Sequence, residues 1–325
     1  MPSNGKSINA VAYIGGLFGL ALLVALMIRS DLAGMLRVTL AAGWPLLWFL
    51  PYRGLFFLLY AYGWLKLVRP IDPDRRAGFP YLFWVTTVRE GIDRLLPVAS
   101  IGGSVVGVRM LRWRGLETGG AAASVILEMV LTFVATYLFA ALGLILLFTV
   151  DTAGREYHEA LLVLILSLPS PVILILLLRN GSVFTRMEKY LAPLVGIAGT
   201  SEGAASLDRE LRAALGRLGN VFFVVLLHFA ALLSGSFEVW LALRLFGHPV
   251  SAADAVIMES MCQAVRTLGF LVPAGLGVQE AGLVIFGHVL GVSSELALAV
   301  SLAKRMREVL CGLPALASWQ WVEGR

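Results

Sequence analysis

FLVPAGLGVQEAGLVIFGHVLG, residues 270–291, is an apolar run that helix-breaking residues interrupt and polar residues follow. A soluble core rarely holds charge beside such breaks, and a simple membrane span rarely holds the breaks. We therefore expect the function of this chain to lie here. The breaks are Pro273, Gly275 and Gly277, the polar residues are Gln279 and Glu280, and the next apolar run carries Lys304, Arg305 and Glu308.

Composition places the chain in a membrane. Of its 325 residues, 58% are hydrophobic and 14% are charged, and the mean hydropathy is +0.83. Soluble domains usually have about a quarter of their residues charged, and the apolar runs do not alternate as strands of a membrane barrel would. We interpret the net charge of +5 as basic residues in loops, which set membrane topology. The sequence has no basic run with interleaved aromatics that would predict a nucleic-acid partner.

The hydrophobic pattern predicts an all-α, polytopic membrane helical bundle in a single domain, residues 1–325, with a cytoplasmic connector at 179–220. A second broken element, 81–111, carries Arg89, Glu90, Asp93 and Arg94 ahead of a break. Two such elements are expected to be re-entrant, since broken backbone is tolerated in a membrane only where protein or a wet cavity surrounds it. About six full spans are predicted, at 8–28, 38–65, 120–150, 159–178, 221–246 and 296–322, and the break in 81–111 is marked by Pro97, Gly102 and Gly103.

The two broken elements align as an internal repeat. Pro97 and Pro273 are 176 residues apart, and the same offset pairs Gly115 with Gly291 and Glu128 with Lys304. Three predicted spans separate the elements, an odd number, so they would enter from opposite faces as inverted repeats with halves 81–150 and 257–322. Most loop Lys and Arg residues fall on one face, which predicts that both termini are cytoplasmic.

Charges within the apolar runs define a candidate site. Each charged side chain costs at least about 2.5–3.5 kcal/mol at the bilayer centre, so such residues are normally paired or functional. For any one of them, a structural ion pair and a substrate contact remain equal alternatives. Helices that begin after the breaks would point unpaired N–H groups at an anionic or hydroxyl-rich headgroup. The predicted headgroup-binding residues are Arg109, Glu128, Arg266, Pro273, Gly275, Gly277, Gln279, Glu280, Lys304, Arg305 and Glu308; further charges in the runs are Glu90, Arg94, Glu238, Glu259 and Arg307.

Common signatures of nucleotide-binding enzymes and metalloproteases are missing from the sequence. Residues 275–282 do not form GxGxxG, because Glu280 occupies the third glycine position, and no HExxH or Walker sequence occurs. Cys262 and Cys311 are interpreted as packing residues, and the four histidines lack ligand spacing, so no metal or cofactor is expected. Two alternatives to lipid transport stay open: a membrane-embedded transferase that uses Glu128, Glu280 or Glu308 as a base, and a scaffold for lipid-synthesis enzymes.

Two motifs carry a resemblance. The sequences PAGLGVQE (273–280) and LLPVASIGGSVVGVRML (95–111) resemble the flippase-like membrane family that includes the transmembrane region of lysylphosphatidylglycerol synthases. Ala274 stands where that family commonly has glycine, and LAKRMREVLCGLPAL (302–316) resembles its hopanoid-biosynthesis subgroup. The resemblance implies a bacterial inner-membrane protein that handles a lipid, a hopanoid or a phospholipid, and moves it between leaflets. Lysyl transfer is not expected, since the chain ends just after its last predicted span, without the soluble aminoacyl-transfer domain of the larger synthases.

Overall fold

The computed structural model describes residues 37, 39–96, 102–148, 162, 165–166, 169–180, 182–183, 185–186, 201–268, 272 and 275–324. Within these ranges the regular structure is entirely helical, and the predicted all-α bundle is confirmed. The first predicted span, 8–28, lies outside them. The helices are α1 Phe49–Val68, α2 Phe79–Leu95, α3 Gly102–Trp113, α4 Thr118–Leu147, α5 Ser170–Asn180, α6 Ser201–Leu215, α7 Leu218–Leu245, α8 Ala252–Leu268, α9 Val278–Val289 and α10 Ser294–Glu323, with 3₁₀ turns at Trp44–Trp48 and Arg69–Ile71.

Helices α4 and α7 are the two described helices that are long and apolar enough to cross a membrane by length and composition. Both also present large apolar side chains on their outer faces, such as Ile145 of α4 and Phe222 of α7. The last helix, α10, is as long as α4, but the charged residues in its middle lower its apolar character.

Each predicted break separates two helices. Helix α2 ends at Leu95 and α3 begins at Gly102, while α8 ends at Leu268 and α9 begins at Val278. Gly277, the residue just before α9, has a φ of +74°, a left-handed conformation that favours glycine over residues with a Cβ. The breaks therefore fall where proline and glycine predicted them, although Pro97 and Pro273 themselves lie outside the described residues.

The three helices around the first break have the same lengths as the three around the second, and the two short helices also end in the same kind of turn. The first helices, α2 and α8, are 17 residues long, the short helices α3 and α9 are 12, and the long helices α4 and α10 are 30. Both short helices end at a left-handed glycine, Gly115 or Gly291, where the next residue returns a hydrogen bond to the helix. These bonds join Leu116 N to the Leu111 carbonyl and Val292 N to the Gly287 carbonyl.

Packing between the two halves is exchanged, which means that the first helix of each half packs on the long helix of the other half. Helix α2 of the first half packs on α10 of the second, and α8 of the second half packs on α4 of the first. The preceding helices, α1 and α7, pack against each other, close enough that His228 Nε2 lies 3.0 Å from where a Cβ on Gly63 would stand. The internal repeat with halves 81–150 and 257–322, and the inverted orientation of those halves, stay predictions.

The predicted connector, 179–220, contains α6 and only the last two residues of α5, and both helices pack on α4. Helix α6 runs from Ser201 to Leu215, and Leu218 begins the next helix. Asp208 of α6 is buried and accepts hydrogen bonds from Thr185 N at 3.0 Å and Thr185 Oγ1 at 2.7 Å. The cytoplasmic position of this segment stays a prediction.

Candidate functional site

A side chain of the first helix spans each break and contacts the second residue of the short helix. In the first half, Asp93 Oδ1 accepts a hydrogen bond from Gly103 N at 2.9 Å. In the second half, Arg266 Nη1 donates to Gln279 Oε1 at 2.7 Å. Asp93 and Arg266 each stand two residues before the end of their helices, whereas the offset of 176 residues pairs Arg266 with Glu90, which is also acidic. Equivalent places in the two halves thus hold opposite charges.

The long helices show the same reversal of charge. Glu128 on α4 and Lys304 on α10 occupy the same position in their helices, and each is bound to a charge on the first helix of its own half. Arg89 Nη2 donates to Glu128 Oε2 at 2.7 Å, and Lys304 Nζ pairs with Glu259. All four side chains are buried. Burial of an unpaired charge would be costly, and the pairing offsets that cost within each half.

A hydrogen-bonded network links the second break to α10. Gln279 donates through Nε2 to Ser301 Oγ at 2.9 Å, and Ser301 donates to Glu280 Oε1 at 2.8 Å. Arg305 then binds Glu280 at 3.3 Å, Glu308 at 3.1 Å and the Gly275 carbonyl at 3.2 Å. One arginine of α10 therefore fixes the backbone of the break and both neighbouring carboxylates.

The network continues from Glu308 to the first half of the chain. Arg94 Nε of α2 lies 3.9 Å from Glu308 and donates to Glu90 at 2.9 Å, and Glu90 also pairs with Arg53 of α1. On the other side, Arg307 lies 3.7 Å from Glu308 and 3.2 Å from Glu238 of α7. Acids and bases alternate along this path, so most of the buried charge is compensated inside the protein.

A cavity of about 440 Å³ lies between the two breaks. This volume is within the range of small-molecule and cofactor sites, about 300–1,000 Å³. Aromatic side chains of α1 and α4 form one part of its wall, and polar residues from both halves, with a few aliphatic ones, form the rest. The lining comprises Phe56, Phe57, Tyr60, Thr86, Arg89, Glu90, Asp93, Arg94, Ser104, Glu128, Met129, Thr132, Phe133, Thr136, Leu232, Gln263, Arg266, Thr267, Val272 and Gly275.

The predicted site residues fall into three groups. Glu128, Arg266 and Gly275 line the cavity, while Gly102 and Gly103 begin the helix beside it. A second group lies behind the wall in the α9–α10 network and comprises Gly277, Gln279, Glu280, Lys304, Arg305 and Glu308. Arg109 lies apart: its side chain is 60% exposed and pairs with Glu323 at 2.5 Å.

Sequence reasoning missed several wall residues. Arg89 and Asp93 carried a signal, since they lie in the broken element 81–111, but nothing in the sequence separates charges that face a cavity from charges that face away. Arg53, which pairs with the wall residue Glu90 but does not line the cavity, was missed because it lies in the run predicted as the span 38–65. Uncharged residues such as Thr132 and Gln263 have no distinguishing pattern, because their role depends on which helices become neighbours.

One known protein family matches nearly the whole chain. The family described as Lysylphosphatidylglycerol synthase TM region matches residues 13–314. The chain belongs to this family. It is accordingly a membrane protein involved in lipid handling. No curated protein and no solved structure is significantly similar to it.

Proposed function

We propose that this family member is a lipid translocase, which moves the headgroup of a polar lipid from one leaflet to the other. The observation that carries the proposal is the cavity between the two helix breaks, which both halves line with charged and hydroxyl side chains. A headgroup cannot cross hydrocarbon without replacing its water contacts, and polar groups at membrane depth can supply those replacements.

The two-part construction supports translocation over simple binding. Many transporters place the substrate at broken helices between two repeats, and expose it alternately to each side as one repeat moves against the other. Here α2–α3 and α8–α9 supply the broken helices, and the exchanged packing of α2 on α10 and α8 on α4 couples the halves. Polar residues from both halves contribute to the cavity wall.

The resemblance described above suggests a hopanoid as the lipid, with a phospholipid as the other candidate. We place the protein in the bacterial inner membrane as a multi-pass protein with both termini on the cytoplasmic side, as the distribution of loop charges indicates. Lipid-synthesis enzymes would be its natural partners, because a newly made lipid must reach the opposite leaflet.

A headgroup-accessibility assay tests the proposal. Purified protein is reconstituted into vesicles that contain a trace of acyl-labelled lipid, and a membrane-impermeant reagent reports how much lipid reaches the outer leaflet. Vesicles with protein should equilibrate the lipid faster than protein-free vesicles do. Equal rates, for every lipid class in the hopanoid and phospholipid panel, would contradict translocation.

The transferase alternative requires a carboxylate that is available as a base. Glu128 is bound by Arg89, while Glu280 and Glu308 are both bound by Arg305. Ion pairing of all three nominated acids favours translocation over group transfer. New lipid product after incubation of purified protein with a lipid donor and acceptor would reverse that preference. The scaffold alternative predicts that substitutions of the buried charges leave the cellular function intact.

A further inference from the structure

We propose that the headgroup bound in this cavity is zwitterionic, with an anionic group placed at Arg266 and a cationic group placed at Asp93. The inference deepens the proposed function and rests on it for the identity of the ligand as a lipid. It assigns the substrate class and gives separate roles to two residues at equivalent positions of the two halves.

Most of the charge on the cavity wall is already neutralised. Four charged side chains of the wall form two ion pairs, Arg89 with Glu128 and Arg94 with Glu90. Asp93 and Arg266 are the remaining two, and within the described residues neither has an oppositely charged side chain within 4 Å. Among the described residues, the cavity therefore offers a ligand one anion and one cation that form no ion pair.

Arg266 retains donors for an anion. Its Nη1 is used by Gln279, but Nε and Nη2 have no hydrogen-bond partner in the part of the chain that the structure describes. These two nitrogens lie 3.4 Å and 3.8 Å from where a Cβ on Gly275 would stand, so a side chain at this position would contact that edge of the guanidinium, which the glycine leaves uncovered. Two parallel N–H donors match the oxygens of a phosphate.

Asp93 retains an acceptor for a cation. Its Oδ1 accepts from the backbone N–H of Gly103, a neutral donor, whereas Oδ2 accepts no hydrogen bond from the described residues. An ammonium group has donors only and is attracted to the remaining carboxylate charge. The described hydrogen-bond partners of Asp93 and Arg266, Gly103 and Gln279, are both neutral, so these contacts cancel neither charge.

The pair selects against headgroups of a single charge. An anionic headgroup would gain at Arg266 but be repelled by Asp93, and a cationic one would meet the reverse. A neutral polyol would bury both charges without an opposite charge for either, at a desolvation cost. A headgroup with phosphate and ammonium compensates both.

The test compares lipids with identical acyl chains that differ only in the headgroup: phosphatidylethanolamine, phosphatidylglycerol and a neutral diglucosyl lipid. Native mass spectrometry of the purified protein measures relative binding, and the vesicle assay measures translocation. The wild type should bind phosphatidylethanolamine about tenfold more strongly than phosphatidylglycerol, the effect of one charged hydrogen bond.

Substitutions at Asp93 and at Arg266 should change lipid selectivity in different ways. Asp93→Asn keeps the acceptor for Gly103 and should abolish the preference for phosphatidylethanolamine over phosphatidylglycerol, whereas Asp93→Glu should keep that preference. Arg266→Gln should weaken binding of both phospholipids relative to the diglucosyl lipid, since both carry phosphate. The exposed residues Asp74 and Arg112 supply matched controls, and Asp74→Asn and Arg112→Gln should leave all three affinities unchanged.

The outcomes separate the inference from the proposed function. Equal binding of phosphatidylethanolamine and phosphatidylglycerol by the wild type, or stronger binding of the diglucosyl lipid, would overturn the zwitterion assignment whether or not the variants fold. Translocation without headgroup preference would support the function and contradict the inference. Preference without translocation would support the inference and contradict the function.

Discussion

Lys304 is 3% exposed on α10, and its ammonium pairs with the buried carboxylate of Glu259 on α8. Removal of one partner leaves the other charge buried and uncompensated, which costs about 3–5 kcal/mol in proteins. The sequence left a structural ion pair and a substrate contact as equal alternatives for Lys304. Its position outside the cavity wall, behind Arg266, favours the structural role.

We predict that Lys304→Met destabilises the protein by about 3–5 kcal/mol, measured by unfolding in detergent. Because the loss comes from the stranded Glu259, the double variant Glu259→Gln, Lys304→Met should recover most of it. A double variant that is no more stable than Lys304→Met would show that the pairing does not determine the effect.

Glu280 gives a contrasting prediction. Its Oε1 accepts from Ser301 and Arg305, while its buried Oε2 has no hydrogen-bond partner in the described part of the chain. Glu280→Gln keeps an acceptor for Ser301 but removes the charge that holds Arg305 at the break. We expect a reduction of about tenfold in lipid translocation with the folded protein retained in detergent.

The control for that prediction is Glu117→Gln, since Glu117 is exposed just before α4 and its side chain forms no cap hydrogen bond. It should translocate lipid at the wild-type rate. If Glu280→Gln also does so, the α9–α10 network has no role in transport.

At the scale of elements, the positions of proline and glycine in the sequence predict where the helices break. Proline and glycine in apolar runs placed both breaks, and the offset of 176 residues placed the paired glycines Gly115 and Gly291. The sequence could not show that α2 packs on α10 and α8 on α4, because apolar faces do not specify their partners. For the same reason it identified the buried charges but not their pairings, and it placed Arg109 in a site that the side chain does not line.

The exchanged contact between α4 and α8 depends on a glycine. A Cβ at Gly143 would overlap the Ser260 hydroxyl and lie 2.8 Å from the Ser260 Cβ. We predict that Gly143→Ala destabilises the protein by about 1–3 kcal/mol, measured by thermal unfolding in detergent, because the fully buried Ser260 has little room to move.

Ser260→Gly in the same chain should restore part of that stability by removing the overlapping atoms. Gly54→Ala is the control, since a Cβ there would have no neighbour within 4 Å. Equal stability of Gly143→Ala and Gly54→Ala would mean that the α4–α8 contact tolerates a wider separation.

At the scale of the whole molecule, the inverted orientation of the halves makes a topological prediction. The loop before α2 and the loop before α8 are equivalent in the repeat, so inversion places them on opposite faces of the membrane. Their exposed residues Asp74 and Pro249 are suitable labelling positions. In a chain with Cys262 and Cys311 replaced by alanine, Asp74→Cys should react only with cytoplasmic reagent.

Pro249→Cys should react with an impermeant maleimide added outside the cell, and Asp74→Cys should not. The replaced cysteines are buried or half-buried, so their substitution by alanine leaves the surface unchanged. Labelling of both positions from one side would show that the halves are parallel.

The opposite charges at Asp93 and Arg266 have a consequence for how substrate choice can change. Each half keeps its own buried ion pair, Arg89 with Glu128 or Glu259 with Lys304, so these two positions can vary without stranding a partner. A protein built from two copies of the first half would present two aspartates to the cavity and would bind cations. A tandem of two second halves would present two arginines and attract anions. Selectivity would then be an adjustable property, changed one half at a time, while the scaffold stays constant.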